Sequence, residues 1–323
     1  MPKRSLKFLQ VAASIGLLLI VFYQVGLYSD EGRKVFSDVI KQADIKLLIA
    51  CILVSILVNM SSVLKWAMLA RARGLQAGYW RFFNYYLIGQ FYNFVLPTSV
   101  GGDVVRAYEL GKHTGKHDDA LASVLVERYT GVLVLFIISG VCVLSQLAIF
   151  SVSFVLFSLA VFAVLLSLIT WMIFDSTIYN SVKNILLARY AFMNPIFKKL
   201  DGLLYSIRGY GENRSTLVWA FVNSFVFYLL AVVNVYVTAL VFDLNIGFVD
   251  MLIATPIIML IMNLPISIGN LGLMEFAYIN VFQLMGYSSV IALSVAILMR
   301  LKSLIDGAAG GILHPLYVTK KYS

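Results

Sequence analysis

A chain of 323 residues that is 61% hydrophobic, with a mean hydropathy of +0.89, cannot present a surface that water solvates, so a soluble globular enzyme is excluded. Its charged share of 13% is about half that of an ordinary soluble domain. The net charge of +9 does not mark a nucleic-acid partner, because the basic residues are scattered between apolar stretches instead of forming a stripe.

About 20 apolar residues cross a hydrocarbon core of about 30 Å, and such runs follow one another along the chain. Lys3, Arg4 and Lys7 precede an apolar run over 8–28. That start resembles a signal peptide, but the run is long, lacks a small-x-small cleavage site and is followed by many more spans, so it reads as the first crossing. A second span covers 46–70, and between the two lies a loop mixing Arg33, Lys34, Lys41 and Lys46 with Asp30, Glu31, Asp38 and Asp44. The next apolar region, Trp80 to Leu110, is interrupted by Pro97, Gly101, Gly102 and Asp103, and neither half is long enough to cross alone. Spans at 119–146 and 149–174 follow, then a long polar loop over 175–215. In that loop Asn194 and Pro195 suit a helix start, and Ile196, Phe197, Leu200, Leu203, Leu204 and Ile207 recur at helical spacing. The spacing predicts an amphipathic helix over 195–208, lying on the cytoplasmic lipid surface or packed on the chain's own spans. After a span at 216–242, the region Asp250 to Gly286 is broken by Pro265, Gly269 and Gly272, and a last span covers 288–315.

The reading is an all-α polytopic membrane protein, one transmembrane domain over 1–323, with about six full spans and two re-entrant broken hairpins at 80–110 and 250–286. With both breaks as hairpins, the N-terminal tail, the Arg71/Arg73/Arg81 loop, the Lys112/Lys116 loop, the 175–215 loop and the Lys320/Lys321 tail share one face. The excess of lysine and arginine makes that face cytoplasmic, in a cytoplasmic membrane, against which only the mixed 29–46 loop counts. Full crossings at the breaks would change this topology.

The breaks repeat each other. Leu96-Pro97-Thr98-Ser99-Val100-Gly101 and Leu264-Pro265-Ile266-Ser267-Ile268-Gly269 share the pattern L-P-x-S-x-G at a shift of 168 (96 to 264). Asn93 and Asn263 precede them, and Asp103 and Glu275 follow. Interrupted segments in matching positions of two halves, here 1–148 and 149–323, are a mark of inverted-repeat transporters with a binding site between the halves. Backbone freed by proline and glycine persists in a membrane only inside protein or beside a polar cavity. Gly101-Gly102-Asp103 and Gly269-Asn270-Leu271-Gly272 each open a new half-helix whose N–H groups suit an anion.

Charges inside spans cost roughly 2.5–3.5 kcal/mol on insertion scales and need a reason. Arg106, Arg128 and Arg300 are the candidate ligands of an anionic headgroup, with Ser99, Gly101, Gly102, Asn263, Ser267 and Gly269 at the breaks. Asp103, Glu127, Glu275, Lys302 and Asp306 are candidate charge partners or proton carriers. Lys302 and Asp306, four apart, suit an ion pair along one helix face; Arg300 has no obvious local partner, and Lys65 lies near enough to a span end to snorkel. A purely structural salt-bridge network is the competing reading. Neither a phosphate-binding G-x4-G-K-S/T loop nor a nucleophile elbow is present, and Cys51 and Cys142, both in apolar runs, suggest neither a disulfide nor a metal. His113 and His117 have metal-like spacing, but Gly115 interrupts the helix that would align them. No cofactor is expected.

The stretches Asn93 to Leu110, Glu127-Arg128-x-x-Gly131 and Leu264 to Glu275 resemble the three motifs of the lysylphosphatidylglycerol synthase transmembrane family, in order and along nearly the whole chain. The resemblance implies a flippase-like membrane protein and not an enzyme, acting on a membrane lipid or a polyprenyl-linked substrate. Many relatives read Gly-Gly-x-Gly where this chain has Gly269-Asn270-Leu271-Gly272, a difference expected to alter headgroup fit. With Ser323 as the last residue, there is no room for a soluble aminoacyl-transferase domain, so lipid aminoacylation is not expected. The alternatives are a transferase acting on a lipid carrier, with Asp103 or Glu127 as base, and an accessory protein that recruits a separate lipid- or glycan-modifying enzyme. A homo-oligomer is compatible with each.

Overall fold

The computed structural model describes residues 30–96, 100–145, 160, 163, 164, 167, 168, 170, 171, 175–190, 194–264 and 267–319. The expected span 8–28, most of 149–174, Ser99, both break prolines and the Lys320/Lys321 tail lie outside the described residues. What is described is helical: α1 (Asp30–Lys41), α2 (Ile45–Ala72), α3 (Tyr79–Val95), α4 (Gly101–Thr114), α5 (His117–Ser145), α6 (Ser176–Arg189), α7 (Asn194–Arg208), α8 (Arg214–Leu240), α9 (Phe248–Met262), α10 (Leu273–Leu284) and α11 (Ser289–Thr319).

Three of these, α2, α5 and α8, are long and apolar enough to cross a membrane. Helix α11 has 31 residues, a length of about 46 Å at 1.5 Å per residue, and carries Arg300, Lys302 and Asp306 along it. The four helices at the breaks have 17, 14, 15 and 12 residues. At about 18–26 Å each, none reaches across a core of about 30 Å. Helix α1 falls in the charged loop between the first two expected spans. Its charges sit three apart, Asp30 with Arg33 and Asp38 with Lys41, which supports an exposed helix, and it packs against α11.

The repeat extends well beyond the six-residue motif. Helices α2 and α8 begin 169 residues apart (45 and 214), as do α3 and α9 (79 and 248), whereas α4 and α10 (101 and 273) and α5 and α11 (117 and 289) begin 172 apart. Packing follows the same rule. The contact of α3 with α11 is matched by α9 with α5, α4 with α5 by α10 with α11, and α2 with α5 by α8 with α11. The two halves meet along α2 and α8, which run antiparallel. Asp44 N–H donates to the Val241 carbonyl, Cys51 Sγ contacts Thr238 Oγ1, Ser61 lies on Asn223, Lys65 on Ser224, and Tyr210 Oη donates to the Leu69 carbonyl, so numbers rise along one helix as they fall along the other. These bonds also place the 73–78 turn beside the 209–213 turn, and the 42–44 turn beside 241, at opposite ends of the bundle.

Close packing of α3 on α11 depends on Gly310: a Cβ there would overlap the Leu87 carbonyl oxygen. Small residues that let backbones touch are a general means of joining helices in lipid, where apolar burial alone gives no driving force. The amphipathic helix α7 takes the second of its two expected places. It packs on α5, with Phe197 buried and Tyr210 just beyond it sealed under the α2 end, while Tyr205 stays outside.

Candidate functional site

At the first break, α3 ends at Val95 and α4 starts at Gly101. Gly102 is pressed against α3 so closely that a Cβ would overlap the Gly89 carbonyl. Its N–H donates to Asn93 Oδ1 at 2.9 Å. Asp103, in the first turn of α4, accepts from Arg106 Nε at 3.0 Å and lies 2.8 Å from Arg128 Nε and 3.1 Å from Arg128 Nη2. Arg106 reaches on to Glu127 at 2.6 Å and stacks over Trp66 and Tyr86, its centre 4.8 and 5.5 Å from the ring centroids. Ser62 Oγ donates to the other oxygen of Glu127 at 3.3 Å. Arg106, Glu127 and Asp103 are thereby buried together, and each charge has an opposite partner, the condition for burying charge at all.

At the second break the chain makes a left-handed turn, with Gly269, Asn270 and Gly272 at φ +55°, +57° and +77°. The turn adds the residues that lengthen the repeat from 169 to 172. Glu275, in the first turn of α10, accepts from the Gly272 N–H at 3.0 Å, closing the helix start with a carboxylate. It is also held by Arg300, Nε to Oε1 at 2.8 Å and Nη2 to Oε2 at 2.9 Å. Arg300 further donates to the Gly269 carbonyl at 3.0 Å and the Asn270 carbonyl at 2.7 Å, so its partners come from the second break and not from its own helix.

The two sites share one wiring. Asp103 and Arg128 are 25 residues apart, as are Glu275 and Arg300, with the carboxylate on the short helix after the break and the arginine on the long helix that follows. They also converge. The second turn lies against the end of α3, Gly269 beside the Asn93 carbonyl and Phe94, and a cavity of about 540 Å³ is lined from both halves, by Asp103, Arg128 and Asn93 on one side and Asn263, Gly269 and Arg300 on the other. Tyr86, Gln90, Asn270 and Ser303 add polar edges, while Val104, Leu125, Met259 and Met262 give it apolar wall.

Not every expected ligand reaches this space. Arg106 is sealed beneath it, its side chain 3% exposed and paired with Asp103 and Glu127; the arginine that remains open is Arg128, at 49%. Gly101, Gly102, Ser267, Glu127 and Glu275 are buried behind the lining. The N–H of Gly102 and the start of α10 are already occupied by Asn93 and Glu275, so these helix ends are not the open anion seats that were expected. Lys302 and Asp306 do not pair. Lys302 Nζ donates to Asn234, Thr238 and Cys51, and Asp306 accepts from Asn59 Nδ2 at 2.8 Å. Lys65 does not snorkel: it is buried with its Nζ on Ser224 Oγ at 3.1 Å. Asn59, Ser62 and Lys65 form a polar stripe at spacing three inside an apolar run, a signal that would have found this face of α2. Among the described residues no cluster of metal-ligating side chains occurs.

Comparison with known proteins gives one match. The family model described as Lysylphosphatidylglycerol synthase TM region matches residues 8–310. Neither the curated proteins nor the solved structures yield a match to this chain.

Proposed function

The chain belongs to the lysylphosphatidylglycerol synthase TM region family, and from that premise we propose that it moves an anionic lipid, or a lipid-linked anionic headgroup, across the membrane through the cavity between the two breaks. The observation that carries the proposal is the pair of arginines that line one cavity from opposite halves, each fixed by its own carboxylate. A carboxylate holding Nε and one Nη of an arginine leaves the remaining edge aimed and charged, which suits a phosphate oxygen. The headgroup would cross in this polar space while its acyl or prenyl tail stays in lipid, avoiding the cost of carrying charge through hydrocarbon.

The two sites differ in state. Arg128 is half exposed, whereas Arg300 is 12% exposed and tied to two backbone carbonyls as well as to Glu275. Equivalent wiring with unequal exposure supports an exchange of roles, in which Arg300 releases its carbonyls and opens as Arg128 closes. On this reading the breaks are re-entrant hairpins. The 73–78 and 209–213 turns share one end of the bundle with Arg71, Arg73, Arg208 and Arg214, and on this reading that end is cytoplasmic, in a cytoplasmic membrane.

Reconstitution into liposomes carrying labelled phosphatidylglycerol derivatives or labelled polyprenyl phosphates tests the proposal. Accelerated headgroup transfer for at least one class, lost in Arg128→Ala, is expected; no acceleration for either class ends it. Turnover of a lipid carrier in detergent, where there are no two compartments, would favour the transferase alternative.

A further inference from the structure

Lys302 lies two residues beyond Arg300 on α11 but reaches away from the cavity, into the contact between α2 and α8. Its ammonium donates to Asn234 Oδ1 at 2.7 Å, Thr238 Oγ1 at 2.9 Å and Cys51 Sγ at 3.1 Å, and the residue is 5% exposed. Three acceptors satisfy the three N–H bonds, yet all three come from side chains that carry no formal charge in their ordinary state. Asp306, one turn further along the same helix, is half-buried, accepts from Asn59 and makes no ion pair with Lys302. The titratable groups around Lys302 are Cys51 on α2, Tyr278 on α10 beside Cys51, and Asp306 on α11; α8 contributes only Asn234 and Thr238. A packing role alone does not account for this arrangement, since an apolar side chain of similar volume serves a buried core as well or better than an ion.

We propose that Lys302 and Asp306 form a proton-binding site, separate from the headgroup cavity, through which a transmembrane proton gradient drives the transport inferred above, on which this reading rests. Side chains four apart on a helix are neighbours, so a change in rotamer brings the ammonium to the carboxylate. The proton then passes from Nζ to Oδ, leaving a neutral amine and a neutral acid, and the acid releases it from its half-exposed side. Reprotonation of the amine resets the pair. Arg300 and Lys302 share one helix, so a shift of α11 that frees Arg300 from Gly269 and Asn270 also moves Lys302 against Asn234 and Thr238.

The experiment uses the full chain in liposomes loaded with a pH-sensitive dye, with headgroup transfer followed with and without an imposed pH gradient. The gradient is expected to raise the wild-type rate several-fold and to dissipate faster while lipid moves. Lys302→Met and Asp306→Asn are expected to keep exchange at zero gradient and lose both responses. Asp306→Asn retains an acceptor for Asn59, so it reads the proposal even if Lys302→Met does not fold. Wild-type exchange that ignores the gradient, or variants that still respond to it, overturns the proton site and leaves the transport reading standing. Absence of exchange in every condition overturns the transport reading and this one with it.

Discussion

Arg106 and Arg128 bind the same carboxylate, but one is a buried strut and the other an open hand. Removing Arg106 leaves Asp103 and Glu127 buried without a full set of partners, a change that typically costs about 3–5 kcal/mol. Arg106→Met is therefore expected to lower the melting temperature in detergent by roughly 10 °C, at about 2–4 °C per kcal/mol for a domain of this size. Arg128→Lys is expected to leave melting nearly unchanged and to depress headgroup transfer, because an ammonium cannot hold Asp103 through two donors and present a third edge. An equal thermal loss in both variants would refute this division. The sequence marks every charge inside an apolar run as needing an explanation, so it found Arg106, Arg128 and Arg300 together. It could not rank them, since burial depends on Trp66 and Tyr86 from other helices.

At the scale of elements, the second break is where the two halves differ. Its left-handed turn displaces α10 by about one helical turn relative to α4, and Glu275 follows the helix rather than the motif. This explains why the shift of 168 located the breaks but did not reveal that Asp103–Arg128 and Glu275–Arg300 are the same device; the pairs match only at 172. Gly272 sits at φ +77°, where a side chain is strained by roughly 1 kcal/mol. Gly272→Ala is expected to weaken the seat of Glu275 and raise the reactivity of a cysteine placed at Ser303 on the cavity wall, measured by alkylation in membranes. Outside the spans, the hairpin of α6 and α7 is tied by Lys183 and Tyr179 donating to Asp201. The bond from Lys183 and then that from Tyr179 hold the Asp201 carboxyl below its usual range. Its contribution is therefore present above the ordinary carboxylate range and lost as pH falls through the lowered value. Hydrogen exchange in α6 should rise at acid pH in the wild type and already be high at neutral pH in Asp201→Asn; a pH-independent profile in the wild type would count against the tie.

For the whole molecule, the apolar runs, the two interruptions and their recurrence were legible because hydrocarbon imposes them on any sequence that crosses it. What joins the halves was not: the polar stripe with Lys65 marks a face of α2, but nothing in the sequence says that Lys65 meets Ser224, or Ser61 Asn223, on α8. The antiparallel contact is testable directly. In a chain with Cys51→Ser and Cys142→Ala, cysteines at Ser61 and Asn223, whose side chains approach to 3.5 Å, are expected to oxidise to a disulfide. The observable is loss of labelling of both thiols, restored by reductant; thiols that stay free would contradict the packing.

Matched helices that run in opposite directions carry a consequence for ancestry. If α2 and α8 descend from one segment, the two halves arose from a polypeptide about half this length that settled in the bilayer either way up and worked as a pair of identical copies. Joining the copies end to end removed that freedom. The lysine and arginine content of the turns on one side, from Arg71 to Arg214, is then the later addition that holds the joined copies one way up, and the difference between the two carboxylate–arginine pairs records how far they have specialised since.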